Sequence, residues 1–332
     1  MTIERRDILR WGTGLAGVAA VTGLVPWAVR TAFAGAGLGQ LQGAAPQMSD
    51  ADRINAMRTQ MAMAPVETKK LRDNLYVIYN GGGNVAVLTG AEGKLIVDTS
   101  VAPNSPKILA ALAAIDKAPL LVAIDTHWHF DHTDGNGPMH DAGATLVAHE
   151  NTRKRMSETQ DIKGFNLHFP PSPKNAWPMT TFDEKMTLYL DGESIHCGYI
   201  LPAHTDSDIY VHFEKANVLH CGDCYFNHRY PFIDGSTGGR VDGMIAAADK
   251  LIALAGPDTV IIPGHGKVSD KGALIEYRDM LTTVRDRVKA QKAAGKPLEA
   301  VIASKPTADF DQAWGTENVP ADLFVTVVYA TL

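Results

Sequence analysis

The segment LLVAIDTHWHFDH, residues 120–132, constrains the fold of this chain more than any other. Its first half is a continuous apolar run, which is typical of a strand buried on both faces of a sheet. Its second half places four polar side chains directly after that strand: His127, His129, Asp131 and His132. Because open α/β sheets build their sites at the carboxyl ends of strands, we expect this cluster to lie at such an edge.

The residue types in this cluster indicate a metal site. Side chains alternate along an extended segment, so His127 and His129 point the same way, and the following turn brings Asp131 and His132 to a neighbouring point. Imidazoles and a carboxylate at this spacing suit zinc or another borderline metal. The alternative, surface histidines beside a glycine turn, does not explain why an apolar strand leads directly into them.

The rest of the chain predicts an α/β fold. Helical spacing of apolar residues occurs in SPKILAALAAID, RVDGMIAAADKLIALA and ALIEYRDMLTTVRDRVKAQKAA. Strand patterns occur in NLYVIYN, NVAVLTG, KLIVDTS, ATLVAH, KMTLYL, SIHCGYIL, DIYVHF, NVLHCGD and TVIIPGH. Many strands with interspersed helices favour a sandwich with sheets inside and helices outside. The C-terminal run LFVTVVYATL also reads as strand-like, packing on the domain or on a second subunit.

Three further candidate ligands lie at the ends of predicted strands. His204 follows SIHCGYIL, Asp223 ends NVLHCGD, and His265 closes TVIIPGH after a Pro-Gly turn. Alone, each would more often be a structural histidine or a solvated aspartate. With the first cluster they supply five histidines and two aspartates in the order H-x-H-x-D-H, H, D, H.

This ordered set resembles the metallo-β-lactamase superfamily over roughly Glu67 to Ala294. The resemblance implies an α/β fold, an αββα sandwich of two mixed β-sheets flanked by helices, with one or two metal ions between the sheets. It also implies the ligand roles. The first metal would take His127, His129 and His204; the second would take Asp131, His132 and His265; Asp223 would bridge both; and Asp98, which ends LIVD, would hydrogen-bond a ligand or its loop.

The reaction implied by the resemblance is metal-dependent hydrolysis. A hydroxide bridging two zinc ions would attack the carbonyl of a lactone, ester, thioester or β-lactam, with Asp131 orienting the nucleophile or passing a proton. Manganese or iron is not excluded. Where true β-lactamases use cysteine or serine, or no bridging ligand, this chain has Asp223, as is typical of the thioesterases, lactonases and other hydrolases of the superfamily. The alternatives are an iron-dependent redox member and a non-catalytic accessory protein that keeps the fold.

Other residues suggest subsidiary roles. Cys221 and Cys224 could form a C-x-x-C redox pair or supply thiolate ligands, although Asp223 already fills the ligand position. Segments 164–178 and 225–240 are expected to wall the pocket. The second of these offers Asn227, His228, Arg229 and Tyr230 as substrate contacts, with Arg229 suited to a carboxylate.

The N-terminus predicts export. Residues 1–34 resemble a twin-arginine signal peptide, with Arg5 and Arg6 before an apolar stretch and a small-x-small cleavage site. Residues 35–66 form a linker, with a helix from Asp50 to Met61 capped by Ser49, and residues 67–332 form the hydrolase domain. The mature protein would be periplasmic, without stable membrane insertion; an uncleaved anchor is the alternative.

Charge excludes one class of partner. The net charge is −6 and no run of lysines or arginines forms a stripe, so nucleic acid is not an expected partner. A small-molecule substrate is expected, and the oligomeric state stays open.

Overall fold

The structure, a computed structural model, describes residues 48–163, 166–315 and 319–332. The predicted signal peptide lies outside the described residues, as does most of the predicted linker before its helix, so these boundaries remain predictions. The helix itself is present as α1, Asp50–Ala62. The Ser49 hydroxyl accepts a hydrogen bond from the Asp52 backbone N–H at 3.1 Å, as the sequence predicts for its cap.

The larger sheet has seven strands in the order β1-β2-β3-β4-β5-β6-β9. Pairings from β1 to β4 are antiparallel, and those from β4 through β9 are parallel. The strands are β1 Glu67–Lys70, β2 Leu75–Tyr79, β3 Val85–Thr89, β4 Lys94–Val97, β5 Leu120–Asp125, β6 Thr145–His149 and β9 Thr180–Phe182. β3 and β4 are buried along their whole length, which explains their apolar sequences.

The smaller sheet has five strands in the order β10-β11-β12-β13-β14, all antiparallel except the parallel pair β13–β14. They are β10 Lys185–Leu190, β11 Glu193–Tyr199, β12 Ile209–Phe213, β13 Val218–His220 and β14 Val260–Ile262. A separate hairpin joins β7, Gln160–Ile162, to β8, Leu167–Phe169. Its second strand, β8, lies within segment 164–178, which the sequence predicts to wall the pocket.

Apolar contacts define four layers. Leu88 and Val97 of the larger sheet share a core with Val211 and Ile262 of the smaller one. The helices after α1 are α2 Ser105–Ile115, α3 Phe130–Thr133, α4 Asn136–Asp141, α5 Glu150–Ser157, α6 Val241–Leu254, α7 Lys271–Ala293, α8 Leu298–Ala303, α9 Asp311–Trp314 and α10 Ala321–Thr331. Their side chains cover both outer faces: α2 and α4 pack on the larger sheet, and α6, α7 and α10 pack on the smaller. The predicted αββα sandwich is confirmed.

The C-terminal run predicted as strand-like is the helix α10, so that prediction is wrong. Its apolar residues are dense enough to read as a strand, but Phe324, Val325 and Val328 are buried at helical spacing. Phe324 stacks on Tyr230, with ring centroids 4.7 Å apart, so the helix packs on the domain. Within the three described ranges, no helix is long and apolar enough to cross a membrane.

Helix α1 braces the segment that carries the histidine cluster. The Arg58 guanidinium donates to both oxygens of Asp134, one of them at 2.9 Å. Asp134 caps the C-terminal end of α3, the short helix that includes Asp131 and His132. Ile54 is buried, and Lys107 Nζ donates to the Ala62 carbonyl at 2.6 Å. The ion pair between Arg58 and Asp134 therefore attaches the segment that contains Asp131 and His132 to helix α1.

We expect Arg58→Ala to lower the free energy of unfolding by about 1–3 kcal/mol at pH 7, because it leaves the Asp134 carboxylate desolvated without its cation. Burial already raises the pKa of Asp134, so the loss should shrink near pH 4, where the carboxyl protonates in the unfolded chain as well. Urea unfolding at both pH values measures this. The control is Glu67→Ala, which removes an exposed ion pair with Lys267 and should change stability by less than about 0.5 kcal/mol. Equal losses in both variants would contradict the prediction.

Candidate metal centre

The structure brings all seven predicted ligands to one edge of the sandwich. The two sheets contribute from the ends of different strands: β5 leads into His127, β13 into Asp223 and β14 into His265. His204 lies in the loop between β11 and β12. His127 and His265 are 138 positions apart in sequence. Because the strands that carry the seven residues end at the same edge, the residues still lie close together.

The seven side chains form two groups. In the first group, one donor atom from each residue lies within 4.8 Å of the others, and all are buried: His127, His129, His204 and Asp223. In the second group, the same limit holds for Asp131, His132 and His265. Three imidazoles and a carboxylate make a donor set that zinc accepts in tetrahedral geometry.

Hydrogen bonds away from the first group determine which imidazole nitrogens face into it. His204 Nδ1 donates to the Phe232 carbonyl at 2.7 Å, and His129 Nε2 donates to the Asp234 carboxylate at 3.2 Å. The remaining nitrogens, His204 Nε2 and His129 Nδ1, both carry lone pairs and lie 2.8 Å apart. A cation or a shared proton between them is needed to make this approach favourable, so the first group fits a metal ion.

His127 supports the same conclusion. It is fully buried, and within the described part of the chain its Nε2 atom has no hydrogen-bond partner. Its Nδ1 lies 3.1 Å from the Thr126 hydroxyl, and that hydroxyl donates to Asp98 at 2.9 Å. The Nε2 atom is therefore left to face the group, 3.9 Å from Asp223.

Asp223 connects the two groups. Its carboxylate lies 3.5 Å from His204 Nε2 in the first group. It also lies 3.2 Å from His132 Nε2 and 3.4 Å from His265 Nε2 in the second. Within the second group, Asp131 lies 3.2 Å from His265 Nε2. This is the arrangement required of a carboxylate that bridges two ions.

Asp98 occupies the position expected of a residue that orients ligands. Its carboxylate accepts from His132 Nδ1 at 2.7 Å and from the Thr126 N–H at 2.7 Å. Its backbone φ of 65° lies in the left-handed region that non-glycine residues rarely adopt. Through Thr126 it also reaches His127, so one buried carboxylate supports a histidine in each group.

Sequence reasoning missed the residues that support the ligands from elsewhere in the chain. Asp234 and the Phe232 carbonyl hold two histidines, as described above. His220 holds the turn that presents Asp223: its Nε2 donates to the Asn84 carbonyl and its Nδ1 accepts from the Gly222 N–H. No local pattern marks these residues. Only the β13 strand end next to Asp223 could have drawn attention to His220.

The carboxylates and histidines shift one another's proton affinities. Burial lowers the pKa of His127 well below its usual value and that of His204 to about 4. Burial also acts to lower the pKa of His132 and His265, but Asp223 and neighbouring carboxylates outweigh it and raise both. Burial acts to raise the pKa of Asp223, yet the His265 and His132 imidazoles hold it well below its usual range. Burial thus favours the neutral forms of His127 and His204 in the first group, whereas nearby carboxylates favour the protonated forms of His132 and His265 in the second.

The predicted substrate contacts are only partly available. Tyr230 is 1% exposed and its hydroxyl donates to Asp311 at 2.9 Å, so it is a core residue, which corrects that expectation. The Asn227 amide donates to the Lys267 carbonyl at 2.9 Å and packs inside the loop. His228 is exposed and its ring lies 5.4 Å from Trp314, and Arg229 is half-buried.

The structure disfavours a redox or metal-binding role for the two cysteines of the C-x-x-C pattern. Cys221 and Cys224 are free and fully buried. Burial raises the pKa of both thiols, which disfavours the thiolate that redox exchange or metal binding needs. They pack in the core against the smaller sheet and its helices.

Aromatic rings surround the centre. Phe226 stacks on His265 with ring centroids 5.4 Å apart, and the ring centroid of Phe232 lies 6.2 Å from those of both His129 and His204.

Asp131 and His265 have the most exposed side chains of the seven, at 12% each, whereas His127 and His204 are at 1%. Solvent therefore reaches the centre from the side of the second group.

The structure is thus an αββα sandwich with two histidine and aspartate groups at one edge that could each hold a metal ion. The family model described as the metallo-beta-lactamase superfamily matches residues 78–265, more than half of the chain. The chain belongs to that superfamily.

Individual relatives differ in their activities. The chain is 27% identical over 229 residues to the acyl-coenzyme A thioesterase MBLAC2 of Bos taurus, covering 59% of this chain and 80% of the relative. It is 26% identical over 149 residues to a type 2 metallo-beta-lactamase of Bacteroides fragilis, covering 45% and 54%.

Solved structures agree on the fold alone. A metallo-beta-lactamase from Pontibacter korlensis superposes with a TM-score of 0.55 at 19% identity, covering 66% of this chain and 99% of that one. A double mutant of the sec-alkyl sulfatase PisA1 superposes with a TM-score of 0.62 at 16% identity, covering 82% of this chain and 51% of that one.

We expect the two groups to bind zinc with different proton release. A metal-binding imidazole must be neutral, and nearby carboxylates raise the pKa of His132 and His265 and so favour their protonated forms. Binding to the second group should therefore release protons and tighten as the pH rises. Binding to the first group should depend less on pH near neutrality, because burial favours the neutral forms of His127 and His204.

Calorimetry of zinc binding to the metal-stripped chain, in two buffers of different ionisation enthalpy, measures the protons released per equivalent. The prediction requires that one equivalent of zinc releases more protons than the other, by roughly one to two protons. Equal release for both equivalents would contradict it.

Proposed function

We propose that this protein is a zinc-dependent hydrolase of carbonyl substrates with two metal sites. The first site is His127, His129 and His204, the second is Asp131, His132 and His265, and Asp223 is shared. The single observation that carries the proposal is the position of Asp223, with imidazole nitrogens of both groups within 3.5 Å of its carboxylate. Manganese and iron suit the same donors, so zinc is part of the proposal.

A pair of zinc ions held there would make hydroxide available at neutral pH, because zinc lowers the pKa of bound water to about 7, and would polarise the substrate carbonyl. The chain's residues supply the orientation. Asp98, Thr126 and Asp234 fix which nitrogen of their histidine faces the centre. The buried, preorganised centre needs little rearrangement during the reaction.

Asp131 is the group that we propose acts on the nucleophile. Burial acts to raise its pKa, but His132 and His265 outweigh this and lower it to about 2, so it is a carboxylate at neutral pH. It is also among the more exposed of the seven. A carboxylate in this position can accept a hydrogen bond from the attacking water and orient it toward the carbonyl.

Among carbonyl substrates we propose an ester or thioester with an apolar acyl group ahead of a lactone or β-lactam. Phe226 and Phe232 place apolar rings beside His265 and His204, which makes the surroundings of the centre apolar. The relative that is matched over most of its length is named an acyl-coenzyme A thioesterase. The aspartate at position 223, where true β-lactamases have another residue, also supports this order. The twin-arginine-type segment of residues 1–34 supports action in the periplasm.

The proposal is tested with the purified chain loaded with zinc and a matched sample stripped by chelator. Hydrolysis is followed on an acyl-coenzyme A thioester, an aryl ester, a lactone and a chromogenic β-lactam. We expect turnover of the thioester or aryl ester that is lost in the stripped sample and restored by zinc. Turnover that survives stripping, or no turnover by a protein with two zinc ions bound, would refute the proposal.

We expect Asp131→Asn to lower kcat by about 10²–10⁴-fold, because the amide cannot replace the carboxylate as hydrogen-bond acceptor and charge. Metal content is measured beside kcat, so that loss of zinc is separated from loss of orientation. The control is Asp249→Asn, which removes a partly exposed carboxylate that pairs with Arg278 on the helices outside the smaller sheet. This variant should keep kcat in the zinc-loaded protein. Similar kcat losses in both variants would contradict the role of Asp131.

A further inference from the structure

We propose that the segment Phe232–Gly239 is the support of the first metal group, and that Asp234 is its positioning residue. The inference rests on the proposed function, because it concerns how the chain holds the metal that the function requires. It assigns a role to a segment whose upstream residues, Asn227 to Tyr230, were expected from sequence to contact substrate.

The contacts of Asp234 are directed at the first group. Its Oδ2 atom accepts from His129 Nε2 at 3.2 Å across 105 positions of sequence. Its carboxylate is 1% exposed, so this hydrogen bond is shielded from competing water. A buried carboxylate facing Nε2 keeps the proton there and leaves Nδ1 of His129 as the metal-facing lone pair.

The same segment also holds His204. The Phe232 carbonyl accepts from His204 Nδ1 at 2.7 Å, and the Asp234 backbone N–H donates to the His204 carbonyl at 2.9 Å. Two of the three histidines in the first group thus depend on one short piece of chain. A Cβ at Gly239 would overlap the His204 carbonyl oxygen, so glycine allows the close approach.

The Asp234 carboxylate is itself fixed within the segment. Its Oδ1 atom accepts from the Ser236 N–H at 2.9 Å, and its Oδ2 atom accepts from the Thr237 hydroxyl at 2.7 Å. Both oxygens therefore act as acceptors. In Asp234→Asn one of them becomes an NH₂ donor, which either loses the Ser236 bond or faces His129 Nε2 and favours the wrong tautomer.

The second group has a different support. His132 donates to Asp98, which in the first group reaches only His127, through Thr126, and not His129 or His204. Among the residues that the structure describes, Asp234 makes no side-chain hydrogen bond to Asp131, His132 or His265. Loss of the Asp234 carboxylate should therefore lower the zinc affinity of the first group more than that of the second. A general loss of stability would lower both affinities alike.

The experiment uses the full chain with ¹⁵N-labelled histidine. Zinc is titrated against a chromophoric chelator, and the histidine NMR signals assign each equivalent to a group. For Asp234→Asn we expect affinity at the first group to fall by about 10- to 100-fold, the range for partners of metal ligands. Affinity at the second group should stay within about twofold.

The control is Thr237→Val, which removes a hydrogen bond to the same Oδ2 atom but leaves the carboxylate to His129. It should keep both zinc affinities within about threefold. The spectroscopic readout is the tautomer of His129: the wild-type chain should carry its ring proton on Nε2, with the signal assigned by its loss in His129→Gln. The tautomer is measured on the wild-type chain, so this test does not depend on whether Asp234→Asn folds.

The outcomes separate the two proposals. A wild-type chain that binds zinc at both groups, with Asp234→Asn unchanged or weakened equally at both, would overturn the role of Asp234 and leave the hydrolase proposal standing. A ring proton on Nδ1 of wild-type His129 would also overturn it. A wild-type chain that binds no zinc would overturn the proposed function and this inference together.

Discussion

The mutual burial of carboxylates and imidazoles at one sheet edge is the constraint on which the structure of the centre depends. Asp98, Asp223 and Asp234 are 4% exposed or less, and an isolated buried carboxylate is strongly unfavourable. Each is compensated by imidazole or backbone N–H groups from distant parts of the chain. Removing one partner of such a buried pair typically costs about 3–5 kcal/mol. The centre therefore ties the loops at this edge together as well as presenting ligands.

The sandwich makes this convergence possible because strands from both sheets end at the same edge. β4 and β5 of the larger sheet deliver Asp98 and the histidine cluster, while β13 and β14 of the smaller sheet deliver Asp223 and His265. Close backbone approach then completes the packing. A Cβ at Gly83 would overlap the His132 ring, and one at Gly264 would overlap the Asp223 carboxylate. Glycine at these positions lets the ligands sit against the backbone of the neighbouring loop.

The two groups are chemically different although they share Asp223. The first is deeper, and burial keeps His127 and His204 neutral. The second lies nearer solvent, and carboxylates on several sides favour the charged forms of His132 and His265. In the proposed hydrolase, this asymmetry would link metal binding at the second group more strongly to proton release. Asp131 lies on the more exposed side of the centre.

Much of the centre could be predicted from sequence because its ligands follow apolar strands. The strand Leu120–Asp125 leading into His127 and His129 is a local pattern, and so are the strand ends before Asp223 and His265. The helical C-terminus was mistaken for a strand because a dense apolar run carries little periodicity, and its contact with Tyr230 is tertiary. The segment after Asp223 was expected to meet substrate, and sequence could not show that Tyr230 turns into the core.

By itself, then, the sequence determined the layers of the sandwich and the seven candidate ligands, since strand periodicity and residue chemistry are local properties. Only the tertiary structure decided which nitrogen of each histidine faces the centre. That choice is made by partners such as Asp234, 105 positions from His129, and the Phe232 carbonyl. Every residue has a backbone carbonyl, so the sequence cannot show that the one at Phe232 accepts a hydrogen bond from a ligand. An aspartate in a predicted loop, such as Asp234, cannot be distinguished by sequence from a solvated one, because only the fold buries it against an imidazole.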